Sequence, residues 1–329
     1  PDLEEEEAVT PVFTNYYKPS IEKYVNSDVH ADLASYKKVF TYDIIAYVTK
    51  DAETTTITDT LVPALKFRSA AGEITVLDIG TTEPDHTAEG TVAAHAGAVI
   101  ADAAVSLDEE TRTLTVVIED SAAYRGHWVQ VTFDACIDEE VIDIDDYTTY
   151  EEAAEAITDN GLVISERYPG HEGIPNTAEY TIIGTNENQY RSTSNTVTVT
   201  PPELGKMQII KTLQDFVADE DPTFVFEVNV WYNPDDPEDW ENGDLVYSNV
   251  HTMACSTYGT KTVTIDRLPV GAHAIVEEVY SGARYEAVSS VTATTDILAA
   301  DVIANVTFTN RGNRSEERRV GKECRSRWS

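Results

Sequence analysis

The sequence predicts an all-β chain of two tandem β-sandwich domains, the first carrying a small helical insertion. Three observations support this. Val-Thr alternation recurs along most of the 329 residues, and β-branched and aromatic side chains suit a pleated, half-buried surface. Turn residues separate short strand-like runs at regular spacing, which favours a sandwich over a βαβ sheet. The length suits two domains, each large enough to bury its own core.

Residues 1–18, with the run Glu4–Glu7, read as an acidic linker lacking an initiator Met and a charged-then-apolar leader. The first unit spans 19–201. Its expected strands are Val39–Lys50, Thr54–Leu61, Thr113–Glu119, Trp128–Ile137, Thr177–Ile183 and Thr196–Thr200. Good helix formers at Thr149–Thr158, followed by Asn160-Gly161, give the helical insertion. Pro201-Pro202 opens the second unit, 202–311. Strands are expected there at Met207–Leu213, Thr223–Trp231, Leu245–His251, Thr260–Arg267, Ala272–Val279 and Val302–Asn310, with a hydrophilic loop at Asn233–Asp244. Residues 312–329 break the pattern: six of the chain's 23 basic residues crowd into Arg314–Ser329. That tail reads as an addition foreign to the native chain, with a native basic anchor as the alternative.

The net charge of −36 excludes nucleic acid and anionic membranes as electrostatic partners. No apolar run is long enough for membrane insertion. Three widely separated cysteines, Cys136, Cys255 and Cys324, form no disulfide framework. GxSxG, P-loop, GxGxxG and HExxH motifs are lacking, so no cofactor, metal or turnover enzyme is expected. The acidic groups Asp143, Asp145, Asp146 and Glu151 lack the glycine of a calcium loop and read as a solvated loop.

Chemistry enters through polar residues on apolar strand faces, since side chains at i, i+2 and i+4 share a face. Lys211 rides with Met207, Ile209 and Leu213; Glu277 with Ile275; Asn310 with Val306 and Phe308. In the first unit Lys23 rides with Ile21 and Val25, and Asp59 with Ile57 and Leu61. Asn176 rides with Ala178, Tyr180 and Ile182; Asn195, an alternative, rides with Val197 and Val199. Singly, a lysine snorkels to water and an asparagine near a turn bonds backbone. Recurrence of Lys, acid and Asn in the same order in both units points to a shared chemistry instead.

The stretches GKMQIIKTL (205–213), LPVGAHAIVE (268–277) and VTFTN (306–310) resemble the B-type repeat of collagen-adhesin-like Gram-positive surface proteins. IEKYV (21–25), FTYDIIAYV (40–48), ITDTL (57–61) and PNTAEYTI (175–182) resemble the isopeptide-forming domain of fimbrial, or pilin, subunits. The resemblance implies immunoglobulin-like β-sandwiches, a cell-wall-associated extracellular location and an autocatalytic Lys–Asn isopeptide bond in each domain. It assigns Lys211, Glu277 and Asn310 to the second domain, and Lys23, Asp59 and Asn176 (alternatively Asn195) to the first. A buried neutral amine is the nucleophile, and a protonated carboxyl polarises the asparagine carbonyl and shuttles protons. The implied role is a structural stalk joined to other domains of a longer surface protein. The alternative is an adhesin module binding a host matrix protein or glycan, through the 233–244 loop or the 80–100 region.

Overall fold

The computed structural model describes residues 19–84, 97–138, 173–215, 221–257 and 259–312. The expected helix at Thr149–Thr158, the linker 1–18 and the Arg314–Ser329 tail lie outside the described residues. Among the described residues the fold is strands joined by turns and three short 3-10 helices.

Two sheets enclose the first core. One is a six-stranded sheet with Ile21–Val25, Phe40–Tyr47, Trp128–Ile137, Thr75–Gly80 and Ala98–Val99 in that spatial order, and Leu65–Phe67 pairing beside Trp128–Ile137. The other has five strands, Gln189–Thr193, Ala178–Gly184, Ala52–Thr60, Thr113–Ile118 and Ala104–Asp108. A smaller sheet of Ile174–Asn176, Val197–Thr200 and His30–Asp32 lies alongside. Strict alternation fills the space between: Tyr42, Ile44 and Ala46 from one sheet meet Leu114, Val116 and Ile118 from the other in one buried cluster.

The second core lies between two four-stranded sheets. One runs Gly259–Pro269, Leu204–Leu213, Ile303–Gly312 and Tyr285–Ala287; the other runs Asp244–Ala254, Thr223–Tyr232, His273–Tyr280 and Thr292–Asp296. Met207, Ile209, Phe224, Phe226, Val228, Val306 and Phe308 are buried together there. The first and last strands of this region, Leu204–Leu213 and Ile303–Gly312, are parallel neighbours, with Lys211 opposite Phe308. The strand Leu204–Leu213 passes from one core to the other: Leu204 packs in the first cluster and Met207 in the second.

The all-β expectation matches the observed strands, and Trp128–Ile137 keeps its expected bounds. Short strands such as Thr75–Gly80 and Ala104–Asp108 went unread because their alternation is diluted by Gly, Asp and Ala. The 233–244 loop carries a 3-10 helix at Pro237–Asn242, opened by Asp236, whose side chain accepts from the Glu238 N–H.

Candidate functional site

In the first core, Ile21 and Val25 face inward, and the two-residue period takes Lys23 in with them. Its side chain is 0% exposed, as is that of Asp59, which arrives from the facing sheet between Ile57 and Leu61. The Lys23 amine and the Asp59 carboxylate form an ion pair through Oδ2, while Oδ1 has no hydrogen-bond partner. Nζ also lies 4.3 Å from the centroid of the Tyr42 ring and 5.4 Å from that of Phe133. Burial pulls the Lys23 amine below its ordinary value of 10.5, against the opposing pull of Asp59.

Asn176 ends the strand Ile174–Asn176 and is buried, with neither Nδ2 nor Oδ1 hydrogen-bonded. Two residues on, Ala178 stands opposite Asp59 in the ladder, which brings asparagine and acid to one end of the core. Tyr42 lies among them: its ring is under the Lys23 amine, and burial, then the Asp59 charge, pushes its phenol well above its ordinary value against the opposing pull of Asn176. Asn195 does something different. Its Oδ1 accepts from the Lys23 N–H at 2.9 Å, and its Nδ2 donates to the Lys23 carbonyl at 2.8 Å. Its carboxamide therefore substitutes for a ladder partner of Lys23 and is engaged with backbone instead of the amine.

The second core repeats the arrangement. Lys211 follows Met207 and Ile209 inward and is 0% exposed. Its Nζ donates to Glu278 Oε1 at 2.6 Å and lies 4.4 Å from the Phe224 ring centroid and 5.6 Å from that of Phe226. Asn310, also fully buried, donates from Nδ2 to the same Glu278 oxygen at 2.7 Å and to the Ser281 carbonyl at 3.3 Å. Glu278 Oε2 and Asn310 Oδ1 are left unpaired. Burial again lowers the lysine, with Glu278 opposing.

The acid here is Glu278, where the sequence pattern pointed to Glu277. In His273–Tyr280 the buried positions are Ala274, Val276 and Glu278, while Glu277 is exposed. Ile275, the most apolar residue of the strand, is only half-buried, so the register inferred from it was one residue out, and a one-residue shift moves every side chain to the other face. Glu278 stands opposite Phe226 in the regular ladder, and the register irregularity lies just beyond it, between Phe226 and Val225. Alternation through Ala274 and Val276 was the available signal. The aromatic floors under the two lysines, Tyr42 with Phe133 and Phe224 with Phe226, were not singled out in advance.

Among the described residues, no group of three or more His, Cys, Asp or Glu is arranged to hold a metal ion. Asp143, Asp145, Asp146 and Glu151 lie outside them, as do residues 85–96 of the 80–100 region. No helix among the described residues is long and apolar enough to cross a membrane.

No protein-family model matches the chain. It is 27% identical over 217 residues to platelet adherence protein A of Streptococcus gordonii; the match covers 64% of this chain and 5% of that much longer protein. Similar solved structures include BcpA, the major pilin subunit of Bacillus cereus, with a TM-score of 0.49, 15% identity, and coverage of 90% of this chain and 71% of that one. Another is the major pilin SpaD of Corynebacterium diphtheriae, with a TM-score of 0.45, 15% identity, and coverage of 90% and 68%. By sequence, the chain is similar to that adhesin over the 217 matched residues, a small part of the adhesin's length.

Proposed function

We propose that this chain is a structural segment of a pilus subunit or surface adhesin, made of two β-sandwich domains (19–201 and 202–311), each locked by a self-catalysed Lys–Asn isopeptide bond. The observation that carries this reading is the same in both cores. A fully buried lysine meets a buried carboxyl, with a buried asparagine whose Oδ1 is unpaired and aromatic rings under the amine. As a plain salt bridge such a pair would stabilise little, because desolvating both charges offsets their attraction. As a reaction site, the same burial is useful, since it favours the neutral, nucleophilic amine.

The step balances without a co-reactant. The lysine Nζ attacks the asparagine Cγ, and the Nζ–Cγ bond forms as Cγ–Nδ2 breaks. Asp59 or Glu278 relays a proton from Nζ to the departing nitrogen. One ammonia leaves per bond. In the second domain Lys211, Glu278 and Asn310 already share hydrogen bonds through Glu278 Oε1. In the first, Asn176 supplies the unengaged carboxamide, because Asn195 is bound to the Lys23 backbone. Each reaction occurs once.

The role follows from where the bonds fall. Leu204–Leu213 and Ile303–Gly312 lie parallel, so opposite pulls on the ends of this region shear them past each other. A Lys211–Asn310 bond would carry that load directly. The same logic suits an extracellular segment whose described cysteines, Cys136 and Cys255, are free, incorporated into a longer surface protein or pilus. Intact-mass spectrometry tests the reading: two bonds remove two ammonias from the sequence mass, and an unshifted mass refutes it.

A further inference from the structure

The two clusters hold their asparagines differently. In the second, Asn310 Nδ2 is held by Glu278 Oε1 and by the Ser281 carbonyl. In the first, both amide atoms of Asn176 are unpaired, and so is the hydroxyl of Tyr42, whose ring centroid lies 4.3 Å from the Lys23 amine. Tyr42 is fully buried on Phe40–Tyr47, packed edge-on against Phe40 at 5.3 Å and tilted against Phe133 at 5.4 Å. Those contacts fix the ring, and its hydroxyl is buried with no hydrogen-bond partner. Tyr42 Oη, Asn176 Nδ2, Asn176 Oδ1 and Asp59 Oδ1 are all buried and unpaired at this one end of the core. Unpaired polar atoms in a dry interior are unfavourable, and these four can satisfy one another.

We propose that Tyr42 is the positioning residue of the first cross-linking site: its phenolic oxygen accepts from Asn176 Nδ2, which turns Oδ1 toward Asp59 and holds the carboxamide in one orientation for attack. The proposal rests on reading Lys23, Asp59 and Asn176 as an isopeptide site. Tyr42 is not consumed and keeps its proton, while Asp59 carries the proton from Nζ to the leaving ammonia. Burial and the nearby Asp59 charge raise the phenol well above its ordinary value, which keeps it neutral through the step. At the second site Phe224 supplies an equivalent ring under Lys211 with no hydroxyl, and the Ser281 carbonyl takes over the holding of Nδ2. The ring is common to both sites; the hydroxyl is a device of the first.

Tyr42→Phe separates ring from hydroxyl. The full chain is made by cell-free synthesis, quenched at intervals, digested and read by peptide mass spectrometry. In Tyr42→Phe the Lys23–Asn176 cross-link should form roughly tenfold more slowly, the loss of one buried hydrogen bond. Lys211–Asn310 in the same molecules should keep its rate and serves as an internal clock. A second readout uses the bond-blocked Lys23→Met chain. There Tyr42→Phe should move the side-chain amide resonances of Asn176 while the backbone amides of Ile44 and Val131 stay in place. A first cross-link that forms equally fast in Tyr42→Phe, or unmoved Asn176 resonances, overturns the role of Tyr42 alone. A wild-type chain lacking the first cross-link overturns the isopeptide reading itself and the role of Tyr42 with it.

Discussion

The two buried clusters use the same residue types but build them from different strands. In the second core, lysine and asparagine stand on neighbouring parallel strands of one sheet, and the acid reaches across from the facing sheet. In the first, the lysine is on the six-stranded sheet, the acid on the five-stranded sheet, and the asparagine at the end of a strand in a small third sheet. What is common is not strand order but convergence: an amine, a carboxyl and a carboxamide meet over aromatic rings where water is excluded. The difference teaches that such a site is specified by burial and register, and that many routings of the chain can satisfy it.

The sharpest way to break the comparison is to remove one bond at a time. Closing a loop of about 100 residues is worth about 4–5 kcal/mol by chain entropy. Asn310→Ala should therefore destabilise the second domain by about that much in denaturant unfolding, with its mass one ammonia below that of its own sequence instead of two. Asn176→Ala should do the same to the first domain, and only slightly more, since the cost grows with the logarithm of loop length. Unchanged unfolding in either would mean that the corresponding bond does not form.

Next in size is the choice of acid. Glu278→Gln removes the proton relay and should leave Lys211 and Asn310 unlinked, whereas Glu277→Gln, on the exposed face, should leave the cross-link intact. Peptide mapping reads both, and a lost cross-link in Glu277→Gln would reverse the assignment. A smaller effect separates Asn195 from Asn176. Asn195→Ala removes two hydrogen bonds to the Lys23 backbone and should cost about 1–3 kcal/mol while the first bond still forms.

Most of the scaffold was legible in the sequence because sandwich strands announce themselves by alternation. Lys23, Asp59, Asn176, Lys211 and Asn310 could be placed on buried faces since each is flanked at i±2 by Ile, Val, Leu, Phe or Ala, and all are indeed buried. Glu278 was missed because Ala274 is a weak core signal and Ile275 a misleadingly strong one; only packing decides between adjacent registers. The engagement of Asn195 with backbone, and the Tyr42 ring under the Lys23 amine beside Asp59, bring together residues far apart in sequence. No local pattern carries them.

The weakest effect is a pH slope that only an unlinked lysine can show. In Asn310→Ala, Lys211 remains a free amine whose folded pKa lies below the unfolded value of about 10.5. The unfolded chain then binds more protons between those two values, so stability rises with pH across that window. In the cross-linked wild type the nitrogen is an amide and contributes no such slope. Denaturation midpoints from neutral pH to about 10 compare the two, and parallel curves would argue against a free buried amine in the variant.

The central claim is that each core contains one covalent bond between the named lysine and asparagine, and peptide-level mass spectrometry of the unaltered chain addresses it most directly. The account predicts two branched peptides, Lys23 joined to Asn176 and Lys211 joined to Asn310, each lighter than its two linear parts by one ammonia. Linear peptides carrying free Lys23 and Lys211, with an intact mass equal to that of the sequence, would contradict it.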